Sequence, residues 1–154
     1  MDDNTRNALK LIITRTFDAP RELVWEAWTR PEHALHWWGP KHHPATDIVW
    51  DARVGGRWRN CLRSIETGES LWHGGEFREV VRPERLAFTF AWEEPGERGV
   101  ETLVTLDFVE RAGKTEMIMQ QVPFQSIDER DGHDEGWNST FDRLAEYLHH
   151  LHQR

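Results

Sequence analysis

Phe17-Asp18-Ala19-Pro20-Arg21-Glu22-Leu23-Val24-Trp25-Glu26-Ala27-Trp28-Thr29-Arg30-Pro31 carries a strand end, a turn and a short helix in quick succession. Leu11, Ile13 and Phe17 alternate imperfectly with polar neighbours, which predicts a strand over Leu9 to Phe17. Asp18 is a suitable N-cap, and Pro20 sits where an early helical proline is tolerated. Val24, Ala27 and Trp28 then share one side of a helix. Arg30-Pro31 ends it, because the residue before a proline avoids the α region. A second short helix is expected from Pro31 to Trp37, closed by Gly39-Pro40.

The far end of the chain carries the complementary signal. Gly136-Trp137 opens an apolar stripe of Trp137, Phe141, Leu144, Leu148 and Leu151, the spacing of a long amphipathic helix running to about His150. Ser126 with Glu129 three residues on resembles a capping box at its start. Gly132 and Gly136 weaken its first part, each by about 1 kcal/mol against alanine.

Between these ends, Ala45 to Val122 reads as strands and turns. Asp47 to Arg53 is expected as one strand and Gly55-Gly56 as a sharp reversal. Arg57 to Arg63 alternates cleanly, with Trp58, Asn60 and Leu62 on one face. Arg57, Arg59, Cys61 and Arg63 occupy the other, which reads as the outer face. Thr67-Gly68, Arg82-Pro83-Glu84, Pro95-Gly96 and Ala112-Gly113 separate the strands that follow. Those strands carry Leu71 to Val81, then Leu86, Phe88, Phe90 and Trp92. Next come Thr102, Val104, Leu106 and Phe108, and last Thr115, Met117, Met119 and Gln121. Strands bracketed by helices imply an α+β domain with the helices on one side of a mainly antiparallel sheet.

Composition narrows the function. The 154 residues suit a single domain over 1–154, with its core at about 9–151. Nine tryptophans supply large apolar blocks, each able to bury about 150–250 Å². Nineteen Lys and Arg against 27 Asp and Glu leave a net charge of −8, which disfavours nucleic acid and an anionic membrane surface. A single cysteine, Cys61, allows no internal disulfide. Met1-Asp2-Asp3-Asn4 is acidic and precedes no apolar run of signal-peptide length, so a cytoplasmic location is expected.

The order of these motifs resembles the START-like (SRPBCC) helix-grip superfamily. More closely, it resembles the family named after the activator of the Hsp90 ATPase (homologue 1-like, C-terminal domain type). The matching residues are Ala19-Pro20 with Val24-Trp25, Thr29-Arg30-Pro31-Glu32, and Trp37-Trp38-Gly39-Pro40. Gly55-Gly56 with Trp58, Pro83-Glu84-Arg85-Leu86, Thr115 and Gly136-Trp137 with Leu144 extend the match along nearly the whole chain. The resemblance implies a curved six- to seven-stranded antiparallel sheet wrapped around the last helix, with two short helices after the first strand. It also implies a deep cavity between sheet and last helix that accepts an apolar guest. Catalytic motifs are not universal in such relatives.

The strand faces and the helix stripe converge on a candidate ligand-binding set. Trp58, Asn60, Phe88, Phe90, Met117, Met119 and Gln121 face Trp137 and Phe141, while Trp38, Trp50 and Phe77 close the ends and His73 adds a polar group. Aromatic walls and adaptable methionines suit a small hydrophobic or aromatic molecule. The same residues equally suit a solid core, because periodicity does not separate a packed interior from an open one. Asn60 and Gln121 are the informative members, since a buried amide needs a partner.

Other chemistry is weaker. His33 and His36 share a helix face, but no cysteine spacing accompanies them, and surface histidines are the simpler reading. Arg59 and Arg63 flank Cys61, although a lone thiol is more often inert. No cofactor, metal or catalytic residue is expected. Binding, carriage or sensing is favoured over turnover. A cyclase- or dehydratase-like enzyme using Asn60, His73 or Gln121 to polarise a carbonyl is one alternative. A module contacting an Hsp90-type ATPase or another chaperone through an exposed patch around Trp37 and Trp38 is another. A weak homodimer is a further partner to consider.

Overall fold

The computed structural model describes residues 9–152, so the reading of Met1 to Asn4 falls outside the described residues. The elements run β1 (Leu11–Phe17), α1 (Arg21–Thr29), α2 (Pro31–Trp37), β2 (Ala45–Trp50), β3 (Arg57–Arg63), β4 (Ser70–Val81), β5 (Arg85–Trp92), β6 (Thr102–Arg111), β7 (Lys114–Val122) and α3 (Ile127–His152). One curved seven-stranded sheet has the order β1-β7-β6-β5-β4-β3-β2, with every neighbouring pair antiparallel. The first strand closes against the last, from Leu11 opposite Gln121 to Phe17 opposite Thr115. All three helices lie over one face.

Alternation decides what is inside. Leu86, Phe88 and Phe90 of β5, Val104, Leu106 and Phe108 of β6, and Met117, Met119 and Gln121 of β7 are all buried on the helix-facing side. The α3 stripe of Trp137, Phe141, Leu144 and Leu148 meets them. Trp28 of α1 is fully buried between, with Trp37, Trp38, Phe88, Phe108 and Phe141 around its ring.

Four local expectations change. Asp18 does not cap α1. Pro20 is the N-cap residue, and the Arg21 N–H is instead satisfied by the Glu110 carboxylate of β6 at 3.0 Å. The second strand is Ala45–Trp50, not Asp47 to Arg53, because the chain coils after Trp50: the Arg53 N–H donates to the Asp51 carbonyl and the Gly56 N–H to that of Arg53. Cys61 is buried although it shares the arginine face. Its cross-strand partner is Trp72, and the Arg59 guanidinium lies 4.0 Å over that ring, so this stretch is covered rather than solvated. Trp37 and Trp38 are buried too, so they form no exposed patch.

Gly75 illustrates how closely the sheet is fitted to its tryptophans. It pairs with Trp58, whose indole crosses β4 to donate to the Thr89 carbonyl of β5 at 2.9 Å. The β4–β5 pairing skips Gly75 and Glu76 before its register shifts between Phe77 and Glu79, and the Glu76 N–H turns to the Thr89 hydroxyl at 2.8 Å. A Cβ on Gly75 would sit 2.0 Å from the Thr89 carbonyl oxygen. Gly75→Ala is therefore expected to lower stability by about 1–3 kcal/mol, read as a shift of the urea midpoint.

Candidate functional site

Most of the interior is solid. Trp50 donates to the Trp28 carbonyl at 2.7 Å and Trp37 to the Ala27 carbonyl at 3.1 Å, which ties two indoles to α1. Trp50 packs edge-on against Phe77 and Phe88, and Trp58 against Phe88. The space opens at one end. There a cavity of about 340 Å³ lies between the first half of α3, β3 to β5 and the loop after α2. That volume is at the small end of the range for small-molecule sites.

Three structural devices make the cavity. The first is the loop after α2. Gly39 takes φ = 94°, a left-handed conformation natural to glycine, and a Cβ there would lie 2.5 Å from the His43 carbonyl oxygen. Arg143 of α3 donates to the carbonyls of His36, Trp38 and Gly39 at 3.1, 3.0 and 2.8 Å. Ser139 accepts the Lys41 N–H at 2.9 Å. The loop is thereby held as a wall.

The second device is on α3 itself. Gly132 and Gly136 line the cavity, and a Cβ at either would meet nothing within 4 Å. The residues that cost helix propensity are those whose missing side chains leave the space.

The third is a pair of imidazoles. Trp38 donates its indole N–H to His73 Nε2 at 2.9 Å, and Trp92 donates to His133 Nε2 at 3.1 Å. An indole N–H only donates, so His73 Nε2 holds a lone pair and that ring is neutral, with its proton on Nδ1, while His133 Nε2 has the Glu129 carboxyl as a second neighbour. Burial pushes the His73 pKa down to about 3, with part of the effect offset by the Leu71 backbone and reinforced by His133 and Arg98. Burial likewise holds His133 at about 4, reinforced by Arg98. The Glu129 carboxyl, 3.2 Å from His133 Nε2, is raised by burial.

Of the thirteen candidate ligand-binding residues, Trp38, His73, Phe90 and Trp137 line this cavity. Trp50, Trp58, Asn60, Phe77, Phe88, Met117, Met119, Gln121 and Phe141 lie in the packed interior beside it. The two amides are occupied locally. Gln121 accepts the Trp137 indole N–H at 2.8 Å and donates to the Thr102 hydroxyl at 2.9 Å, which passes its own proton to the Phe90 carbonyl at 3.0 Å. Asn60 accepts the Val49 N–H at 3.3 Å, and its Nδ2 is one of three buried polar atoms without a partner among the described residues, with Trp28 Nε1 and His73 Nδ1. Among Asn60, His73 and Gln121, only His73 reaches the cavity wall.

Other lining residues were absent from the candidate set, among them Trp92, Arg98, Glu129, Gly132, His133 and Gly136. A signal was present. Glu129 and His133 continue the Trp137–Phe141 stripe backwards at intervals of four, which puts them on the inward side of α3. The capping box is half formed. The Ser126 hydroxyl accepts the Glu129 N–H at 3.1 Å, while the Glu129 side chain turns to the cavity. His33 and His36 do share a face, but they bracket Tyr147, with a 2.5 Å hydrogen bond from one and ring stacking from the other. No metal-binding cluster of His, Cys, Asp and Glu exists among the described residues.

The neutral histidines make stability depend on acid. In the unfolded chain each takes a proton near pH ~6.5, whereas in the fold each stays neutral to much lower pH. Between these values the unfolded state binds more protons, so stability falls as pH drops. A loss on the order of 2 kcal/mol per histidine is expected by pH ~4.5, offset in part by Glu129, whose raised carboxyl works in the opposite sense. Urea unfolding at successive pH values checks this, and His133→Gln should flatten the fall.

The chain matches the family model described as "Activator of Hsp90 ATPase homolog 1-like protein" over residues 18–149. None of the curated proteins matches it. Among solved structures, a protein from Chromobacterium violaceum superposes with a TM-score of 0.83 at 22% identity, covering 90% of this chain and 96% of its own. The AHSA1 protein from Silicibacter pomeroyi gives 0.81 at 25% identity, with coverage of 90% and 96%. A protein from Mycobacterium smegmatis gives 0.79 at 26% identity, with coverage of 95% and 94%. The shared plan is the curved antiparallel sheet with a long C-terminal helix. This chain is a member of the activator of Hsp90 ATPase homolog 1-like family.

Proposed function

We propose that the protein binds a small hydrophobic or aromatic molecule in the cavity beside α3, for carriage or sensing rather than turnover. The observation that carries this reading is the cavity of about 340 Å³ walled by Trp38, Phe90, Trp92 and Trp137, with two helical glycines facing it. A helix packed only for stability would place alanine or larger residues at those positions, since each glycine costs it about 1 kcal/mol. The family commonly binds hydrophobic ligands, which agrees with this use of the space. Among the described residues no helix is long and apolar enough to cross a membrane.

The enzyme alternative built on Asn60, His73 and Gln121 needs two of those three groups converging in the cavity, and only His73 lines it. A chaperone contact through Trp37 and Trp38 would need those rings outside the fold, and they are buried within it.

Gly136→Leu tests the binding reading directly. The new side chain enters the space, and the helix gains a better former. Calorimetric titration with a panel of aromatic compounds should show binding to the natural chain and at least about a tenfold loss in the variant. Its thermal midpoint should hold or rise, matching a gain of about 0.5–1 kcal/mol. Unchanged affinity in a folded variant would place the guest elsewhere.

A further inference from the structure

We infer that the cavity selects an uncharged aromatic guest and discriminates against the same ring system bearing a carboxylate. This rests on the binding reading above and adds the charge class of the guest. The ionisable side chains of the wall are His43, His73, His133, Arg98 and Glu129. His43 is half-buried on the loop wall. The buried His73 imidazole is held neutral by the Trp38 indole, and any positive charge on His133 would face Glu129, 3.2 Å from its Nε2, rather than the guest. Arg98 is the one guanidinium of the wall among the described residues. It stacks 4.4 Å over Trp92, bonds Glu94 at 3.2 Å and lies 3.9 Å from Glu129. Each of its carboxylate partners comes from the protein itself.

A guest carboxylate entering here would therefore meet aromatic rings, the neutral His73 imidazole, and an Arg98 guanidinium already paired with the protein's own Glu94 and Glu129. It would lose water without gaining a counter-charge, which is the costly case for burial. An uncharged guest loses no such hydration and keeps the stacking surfaces. Glu129 is the side chain that sets the sign. It stands on the wall beside both His133 and Arg98, so it occupies the position from which a guest anion would reach the guanidinium.

The test is calorimetric titration at about pH 7.5 with naphthol and with the naphthoate of the same ring position, in the natural chain and in Glu129→Gln. Naphthol is expected to bind at least about tenfold more tightly than naphthoate in the natural chain. In Glu129→Gln, which keeps the shape and removes the resident charge, naphthoate should gain about threefold or more while naphthol holds. Equal or tighter binding of naphthoate to the natural chain overturns the inference and leaves an occupied cavity. No binding of either probe overturns this inference and the binding reading together. A ratio unchanged in Glu129→Gln removes Glu129 as the discriminating group.

Discussion

A tryptophan in a dry interior brings an N–H that gains from an acceptor, and the architecture of this protein supplies one to Trp37, Trp38, Trp50, Trp58 and Trp137, though not to Trp28 among the described residues. Seven of its nine tryptophans are buried. Trp50 and Trp37 take backbone carbonyls of α1, and Trp58 takes one from β5. Trp137 takes Gln121 and Trp38 takes His73. Each bond fixes a ring that also supplies apolar area, so the polar and apolar contributions select the same arrangement. The gap in β4–β5 pairing at Gly75 and Glu76 belongs to this pattern, since it leaves the Thr89 carbonyl free for an indole.

The site is a local exception to that packing. Where the rings run out, the α3 glycines and the pinned loop after α2 leave unfilled volume. The groups around it are held in states set by their neighbours. Imidazoles that would titrate near neutrality in water are kept neutral by burial and by indole donors, and a carboxyl on the rim is pushed toward its protonated form. The result is a recess whose wall sets one guanidinium against one carboxyl in a protein of net charge −8.

Much of the fold was legible in the chain. The helix stripe from Trp137 to Leu148, the short helices ended at Arg30 and Trp37, and the alternation in β6 and β7 report one buried face per element, whereas β3 and β5 bury residues on both faces. The misread positions were those decided by distant partners. Asp18 looked like a cap, but α1 takes its acceptor from Glu110, far along the chain. Cys61 looked exposed because its own strand places it among arginines, and the ring that covers its surroundings belongs to β4. Of the candidate site, four members reach the cavity, because sequence periodicity reports which side of an element is inward and carries no information on whether the space there is filled.

The sequence by itself determined the inward faces, the order of elements and the supply of aromatic volume, because these depend on neighbours a few residues apart. Only the tertiary structure decided where that volume falls short. The cavity exists because Gly132 and Gly136 face the same point as Trp38, Phe90 and Trp92, which come from a separate loop and strand. Its charge state was settled the same way, since an imidazole is neutral or charged according to the donor opposite it, and Trp38 and Trp92 lie 35 and 41 residues from the histidines they hold.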